Sequence, residues 1–130
     1  MRKIGMILIV DSWAWLAILE ENKQSEEVLG YLLDKQNKII TTTLNLYEVY
    51  YRLKEKRSVE EAIAFLATIK QIAKVSEIDE ELAISAANSH LNEKLPAIDS
   101  FVYATANRYA GHVLTGDPHF KNKRDVIYLG

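Results

Sequence analysis

Residues 6–19, MILIVDSWAWLAIL, hold a single carboxylate, that of Asp11, between two strongly apolar runs. The run before it, KIGMILIV at residues 3–10, is short, continuous and rich in β-branched side chains. Such a run is typical of a strand that is buried on both faces, as in parallel sheets covered by helices. We therefore predict a buried strand that ends at Asp11 and a helix that begins near Ser12.

A secretory signal and a membrane anchor are two other interpretations of this stretch, because Arg2 and Lys3 precede the apolar run. The run has only the lower-limit length for a signal, and bulky Trp13 and Trp15 follow it instead of a small-residue cleavage site. A membrane helix needs about 20 apolar residues, and an aspartate near its centre costs about 2.5 to 3.5 kcal/mol. We expect a soluble protein with no membrane partner.

The composition predicts one domain over residues 1–130, since 48% of the residues are hydrophobic and one core can hold a chain of this length. The chain has no cysteine, which excludes disulfides, thiolate metal sites and cysteine nucleophiles and is consistent with a cytoplasmic location. Its 16 basic and 18 acidic residues argue against binding of nucleic acid by bulk positive charge. Any metal site must use oxygen or imidazole ligands.

The rest of the chain alternates between strand-like apolar runs and amphipathic helical patterns. In order, the predicted elements are a helix, a strand, two helices, a strand, two helices and two strands. They cover residues 25–36, 38–43, 44–56, 58–73, 74–78, 79–94, 96–111, 112–115 and 126–129. Alternation of this kind predicts an α/β fold with a mainly parallel sheet.

Several residues are expected to mark the ends of these helices. A loosely met capping box begins at Ser25, and Ser58 with a glutamate three residues later forms a clearer one. Pro96 and Pro118 are expected at helix starts, and Gly111 as a C-cap.

Four acids fall near the edge of the predicted sheet where ligands bind in open α/β folds, outside the carboxyl ends of the strands. Asp11 and Asp117 follow strands, and Glu48 lies in the helix after another. Asp99 is in the first turn of a helix, where the helix dipole favours an anion. Each acid alone also has a structural explanation as a cap, a dipole partner or, for Glu48, an ion pair with Arg52.

The sequence neighbours of these acids favour a shared site, because positions 11, 48 and 99 are flanked by apolar residues, as surface acids rarely are. If the carboxylates converge, a divalent cation with oxygen ligands, Mg²⁺ or Mn²⁺, is the natural counterion. Such a site suits hydrolysis of phosphodiesters, because the cation activates water and stabilises the leaving oxygen.

Four segments then resemble, in order, the acidic motifs of the PIN domain family and specifically of its VapC-type toxins. They are VDSWAWL at 10–16, LYEVYYRL at 46–53, PAIDSFVYATA at 96–106 and LTGDPHF at 114–120. The resemblance implies a three-layer α/β/α sandwich with a mainly parallel central sheet, and a ribonuclease dependent on Mg²⁺ or Mn²⁺. It implies that Asp11, Glu48, Asp99 and Asp117 are the catalytic and metal-binding residues.

The same resemblance implies that Ser12 and Thr115 are supporting hydroxyls in the cofactor site. Toxin members of the family act on RNA, usually pair with an antitoxin that blocks the site, and commonly form homodimers. Other PIN nucleases process RNA without a toxin role, and this alternative stays open.

Two functions of other classes also stay open. A receiver-like signalling module would share the α/β sheet, but Ser12 stands where an acid is expected and no lysine follows the HVLT strand until Lys121. A non-catalytic interaction module on the same fold is the second. Binding of Mn²⁺ without RNA cleavage would favour either one over a nuclease.

The histidines and aromatic residues are less informative. His90, His112 and His119 have no metal-ligand spacing among themselves, and we interpret them as structural. The tryptophans and a tyrosine stripe could stack on RNA bases, but filling of the core or of a subunit interface is the preferred interpretation. These aromatic residues are Trp13, Trp15, Tyr47, Tyr50 and Tyr51.

Overall fold

A computed structural model describes residues 5–130. Lys3 and Ile4, with which the predicted first strand begins, lie outside the described residues. Within them, the chain forms five strands, six α-helices and two short 3-10 helices.

The elements follow the predicted order. The strands are β1 (Ile7–Val10), β2 (Lys38–Thr42), β3 (Lys74–Ser76), β4 (His112–Thr115) and β5 (Val126–Tyr128). The α-helices are α1 (Ser12–Ala17), α2 (Lys23–Leu33), α3 (Thr43–Lys56), α4 (Val59–Ile72), α5 (Glu80–Glu93) and α6 (Ala97–Tyr109). The 3-10 helices are Ile18–Glu20 and Pro118–Phe120.

The strands form one sheet in the order β3-β2-β1-β4-β5, and every neighbouring pair is parallel. The chain builds outward from β1 through β2 to β3 and then returns to the other side of β1 with β4. The boundary between β1 and β4 is therefore the topological switch point, where open α/β sheets bind ligands.

Helices cover both faces of the sheet, as the predicted three-layer sandwich requires. Alternate residues of β1 point to opposite faces, because side chains alternate along a strand. Leu8 and Val10 pack with residues of α1, α2, α3 and α4, whereas Ile9 packs with Val102 and Tyr103 of α6. Helix α5 packs on α6 through Leu82.

Two helix ends differ from the sequence predictions. The cap of α2 is Asn22, three residues before the expected Ser25, because the Asn22 side chain accepts a 3.0 Å hydrogen bond from the backbone N–H of Ser25. Helix α6 ends with Ala110, not Gly111, in the left-handed region. Gly111 instead permits close packing on β1, because a Cβ there would lie 2.6 Å from the carbonyl oxygen of Ile7.

The aromatic residues divide between core and surface. Trp15 is fully buried, and its indole N–H donates to the Thr41 hydroxyl at 3.0 Å. Tyr50 packs against the core, whereas Tyr47 and Tyr51 are exposed and their rings lie 5.2 Å apart. No helix within residues 5–130 has the length and apolar character needed to cross a membrane.

Candidate functional site

Asp11 lies at the carboxyl end of the central strand, immediately before α1, and is 2% exposed. Its carbonyl oxygen accepts hydrogen bonds from the backbone N–H groups of Ala14 and Trp15, which starts α1. Its side chain makes no cap hydrogen bond to α1. The carboxylate is instead directed toward side chains from other elements, so capping of α1 does not explain it.

The Asp11 carboxylate is held from two sides. Its Oδ2 accepts a 2.7 Å hydrogen bond from the hydroxyl of Thr115, the last residue of β4. Its Oδ1 faces the side-chain amide of Asn45, which donates to it at 3.4 Å and to the Ser12 hydroxyl at 2.9 Å. Both hydroxyls predicted to support the site, Ser12 and Thr115, therefore belong to the network around Asp11.

The orientation of the Asn45 amide is fixed by the start of α3. Its Oδ1 accepts hydrogen bonds from the backbone N–H and the hydroxyl of Thr42, at 3.2 and 2.7 Å. The Thr42 hydroxyl in turn accepts from the Asn45 backbone N–H. This reciprocal cap leaves the amide NH₂ of Asn45 directed at Asp11 and Ser12.

Asp117 is tied to the same strand end. Its backbone N–H donates to the Thr115 hydroxyl at 3.0 Å, and its Oδ1 accepts from the backbone N–H of His119 at 2.9 Å. The imidazole Nδ1 of His119 lies 2.8 Å from Asp117 Oδ1 and 3.3 Å from Asp99 Oδ2. His119 thus connects Asp99, in the first turn of α6, to Asp117.

Two of these acids have raised pKa values, as expected where negative charges are buried close together. The pKa of Asp99 is raised to about 7, chiefly by burial and then by the charges of Asp11 and Asp117, while the charge of His119 acts in the opposite direction. Burial raises the pKa of Asp11 to about 6, even though the hydrogen bond from Thr115 lowers it.

Glu48 lies on α3 at the rim of the site, where its side chain is 18% exposed. It also forms an ion pair with Arg52, the structural explanation considered for this acid, at 3.1 Å between Oε2 and the guanidinium. Its charge also contributes to the raised pKa of both Asp11 and Asp99. Glu48 and Asp11 line the same surface groove, so the pair with Arg52 does not remove Glu48 from the site.

The donor groups suit a divalent cation. One ligand atom from each of Asp99, Asp117 and His119 lies within 4.8 Å of the others. Carboxylate oxygens are the preferred ligands of Mg²⁺ and are accepted by Mn²⁺, and an imidazole nitrogen suits transition metals. A buried carboxylate with a pKa near 7 is also the group that a bound cation would stabilise in its charged form.

Two residues at this site were not identified from the sequence. The role of Asn45 in capping could have been predicted from the sequence, because it stands three residues after Thr42 at the start of a helix, which is the spacing of a capping box. His119 was interpreted as structural, but its side chain is 59% exposed and contacts two acids. Its proximity to Asp99 depends on the packing of α6 beside β4, which the local sequence does not contain.

Comparison with known proteins gives one family and a consistent fold. The family model of the PIN domain matches residues 8–126 of the chain. No curated protein sequence matches the chain.

Solved structures with this fold include toxins and toxin–antitoxin complexes. A toxin–antitoxin complex from Klebsiella pneumoniae superposes with a TM-score of 0.73 at 17% identity, over 95% of this chain and 96% of that chain. VapBC2 from Rickettsia felis, bound to a DNA fragment from its promoter, superposes with a TM-score of 0.73 at 16% identity, over 95% of this chain and 98% of that chain. The sarcin–ricin loop cleaving toxin VapC20 of Mycobacterium tuberculosis superposes with a TM-score of 0.69 at 14% identity, over 82% of this chain and 86% of that chain.

Proposed function

The chain belongs to the PIN domain family, and on this premise we propose that it is a metal-dependent endoribonuclease that acts as the toxin of a toxin–antitoxin pair. The observation that carries the proposal is the meeting of Asp11, Asp99 and Asp117 at the switch point of the sheet. The three residues come from the ends of β1 and β4 and from α6, and Thr115 and His119 connect them. Glu48 completes the set of four acids.

The proposed cofactor is Mg²⁺ or Mn²⁺, held by Asp11, Glu48, Asp99 and Asp117. When bound, such a cation neutralises the phosphate, activates water for in-line attack on phosphorus and stabilises the leaving oxygen. RNA is the proposed substrate, and hydrolysis of its phosphodiester bonds the reaction. The sarcin–ricin loop cleaving toxin with the same fold supports this choice.

The residues of the chain supply position and charge. Thr115 and Asn45 hold the two oxygens of Asp11 in place, so this carboxylate needs no rearrangement to receive a cation. Arg52 holds Glu48 at the rim. Preorganised polar groups of this kind lower the barrier because they require no reorientation during the reaction.

The proposed partner is an antitoxin protein, supported by the complexes from Klebsiella pneumoniae and Rickettsia felis that share the fold. A homodimer and a cytoplasmic location, where RNA substrates are present, complete the proposal. An RNA-processing nuclease without an antitoxin would use the same acids, and expression of the chain alone separates the two roles. A toxin arrests growth of the host cell, whereas a processing enzyme does not.

Incubation of the purified protein with RNA tests the activity. We expect cleavage with Mg²⁺ or Mn²⁺ and none after addition of EDTA. The Asp11→Asn protein, purified in parallel, is the matched control for contaminating ribonucleases. Activity that persists in EDTA, or that is equal in the Asp11→Asn preparation, would contradict the proposed hydrolysis.

A further inference from the structure

His119 lies in the acidic site but is not among the four acids proposed to hold the cation. Its Nδ1 is 2.8 Å from Oδ1 of Asp117 and 3.3 Å from Oδ2 of Asp99. One ligand atom from each of these three residues lies within 4.8 Å of the others. Within residues 5–130, no other three acidic or histidine side chains meet this limit. The compact donor set of the described chain therefore contains an imidazole.

The position of His119 is set by the 3-10 helix Pro118–Phe120. Asp117 caps this helix, because its Oδ1 accepts the backbone N–H of His119 at 2.9 Å. The ring of Pro118 fixes its φ, and Phe120 is fully buried in the core. The imidazole is therefore carried beside Asp117 on a turn that is anchored at both ends.

Asp99 is a buried acid with oxygen atoms that remain free to bind a cation. The residue is 8% exposed. Within the described part of the chain, the polar contact of its carboxylate is the one with the His119 imidazole. Buried carboxylates are normally paired with an opposite charge or coordinate a metal ion. The lone pairs of Asp99 are thus directed to the same place as the Nδ1 of His119.

The distances within this set match those between neighbouring ligands of one metal ion. In an octahedral site with metal–ligand distances of about 2.1 Å, neighbouring ligand atoms are about 3.0 Å apart. The two contacts of the His119 Nδ1, at 2.8 and 3.3 Å, lie on either side of this value. Small rotations of the three side chains can therefore place one atom of each on the same ion.

We propose that His119 binds the cation through Nδ1, together with Asp99 and Asp117, and that this nitrogen makes the site selective for Mn²⁺ over Mg²⁺. The inference rests on the proposed function, because it takes the same cation site and adds a nitrogen ligand to the acids. Mg²⁺ is a hard cation that binds oxygen ligands. First-row transition ions, Mn²⁺ included, also bind at sites that contain nitrogen. The imidazole thus favours the ion that accepts both kinds of ligand.

Pulsed electron paramagnetic resonance (EPR) of bound Mn²⁺ tests the ligand directly, because a coordinated nitrogen modulates the electron spin echo. Protein with nitrogen-15 in its three histidines is compared with unlabelled protein, without RNA. We expect a nitrogen modulation in the wild type whose frequency changes on labelling. The modulation should disappear in His119→Ala. It should persist in His112→Ala, the matched control, because His112 begins β4 and lies at the opposite end of that strand from Thr115.

Titrations of the two cations measure the selectivity. The EPR signal of free Mn²⁺ gives its Kd, and competition gives the Kd of Mg²⁺. Removal of a group between two acids also changes the affinity for both cations through charge, so the ratio of the Mg²⁺ Kd to the Mn²⁺ Kd is the informative quantity. We expect this ratio to fall about 10-fold in His119→Ala, the lower end of the losses caused by replacing residues around a metal. It should stay unchanged in His112→Ala. The side chain of His119 is 59% exposed, so its removal leaves the core intact.

Three results would overturn the inference and leave the four-acid site of the proposed function: bound Mn²⁺ without nitrogen modulation, modulation that persists in His119→Ala, or an unchanged ratio in this variant. Absence of Mn²⁺ binding to the wild type would overturn the inference together with the proposed metal dependence. These measurements require neither RNA nor cleavage, so their failure is distinct from failure of the nuclease assay.

Discussion

The Thr115 hydroxyl donates a 2.7 Å hydrogen bond to Oδ2 of Asp11, from a position 104 residues further along the chain. The same hydroxyl oxygen accepts the backbone N–H of Asp117 at 3.0 Å. One small side chain at the end of β4 thus sets the relative positions of two acids that follow two different strands.

Thr115→Val keeps the shape of the side chain and removes the hydroxyl. We expect RNA cleavage to fall about 10- to 100-fold, as when residues that orient metal ligands are replaced. Stability should fall by about 1 kcal/mol, because a buried hydrogen bond is lost. Thr115→Ser, which keeps the hydroxyl, should stay near wild type, and equal activity in the two variants would show that the hydroxyl has no role.

Substitutions of the acids distinguish the effect of where a carboxylate lies from the effect of the protein's total charge. Asp11→Asn, Asp99→Asn and Asp117→Asn should each lower cleavage by orders of magnitude, because each removes a carboxylate that we propose as a metal ligand. Glu26→Gln and Glu80→Gln, on exposed helix positions, change the net charge equally and should leave cleavage intact. Cleavage rates of all five variants are compared at saturating Mn²⁺. Similar losses of cleavage in the site variants and in the controls would refute the assignment of the site.

The stability of the metal-free protein should fall as the pH rises from about 4 to about 8. In the folded protein the pKa is about 7 for Asp99 and about 6 for Asp11, against 3.8 in the reference state, so the folded state binds more protons in this range. Asp79, whose pKa is lowered to about 2, has the opposite effect only below about pH 4. Thermal melts in EDTA at several pH values measure this dependence.

Asp99→Asn should reduce this pH dependence. At pH 7 the metal-free variant should melt several degrees higher than wild type, and Mn²⁺ should stabilise it less. If Asp99 only served the dipole of α6, its neutralisation would instead cost about 0.3 to 1 kcal/mol. A lower melting temperature together with an unchanged response to Mn²⁺ would contradict the clustered-acid interpretation.

The exposed pair Tyr47 and Tyr51 leads us to expect a homodimer through α3. Tyr51→Arg should shift the mass in light scattering toward the monomer, because a charge would be buried in the interface. Ile84→Arg, at an exposed apolar position of α5, is the matched control. A monomeric wild type would remove the prediction, and a dimeric Tyr51→Arg would place the interface elsewhere.

Gly116→Ala should destabilise the protein by about 1 to 3 kcal/mol, the usual cost of overpacking, because the added methyl group meets the ring of Trp13. In a Trp13→Ala background the same change should cost much less. Urea denaturation of the four proteins of this cycle measures the coupling. Equal costs in both backgrounds would mean that Trp13 is not what requires glycine at 116.

The order and type of the elements could be predicted from the sequence because the apolar periodicities are strong. Ser58 was correctly predicted as the cap of α4, where its hydroxyl accepts the Glu61 backbone N–H. The prediction that Ser25 caps α2 was wrong, because Asn22 is the cap. The prediction that Gly111 is a C-cap was also wrong, because the glycine is needed for close packing on β1. Ends of helices depend on such local competition, which periodicity does not resolve.

The candidate site was predictable only in part, for a geometric reason. A residue that follows a strand in a parallel sheet must lie at the binding edge, so Asp11 and Asp117 could be placed from the sequence. The neighbours of Asp11 could not be placed in this way. Asn45 contacts Asp11 from α3, and its amide is oriented by the hydrogen bond with the Thr42 hydroxyl. His119 likewise meets Asp99 only after α6 has packed beside β4.

The position of β1 in the middle of the sheet, between β2 and β4, determines when the acidic site can assemble during synthesis. Asp11 leaves the ribosome early, but Thr115, which holds its carboxylate, is synthesised 104 residues later. At 5 to 20 residues per second this delay is about 5 to 20 s, during which the nascent chain has no assembled acidic site. A chain that stops before β4 therefore lacks both Thr115 and Asp117 and cannot assemble the acidic site.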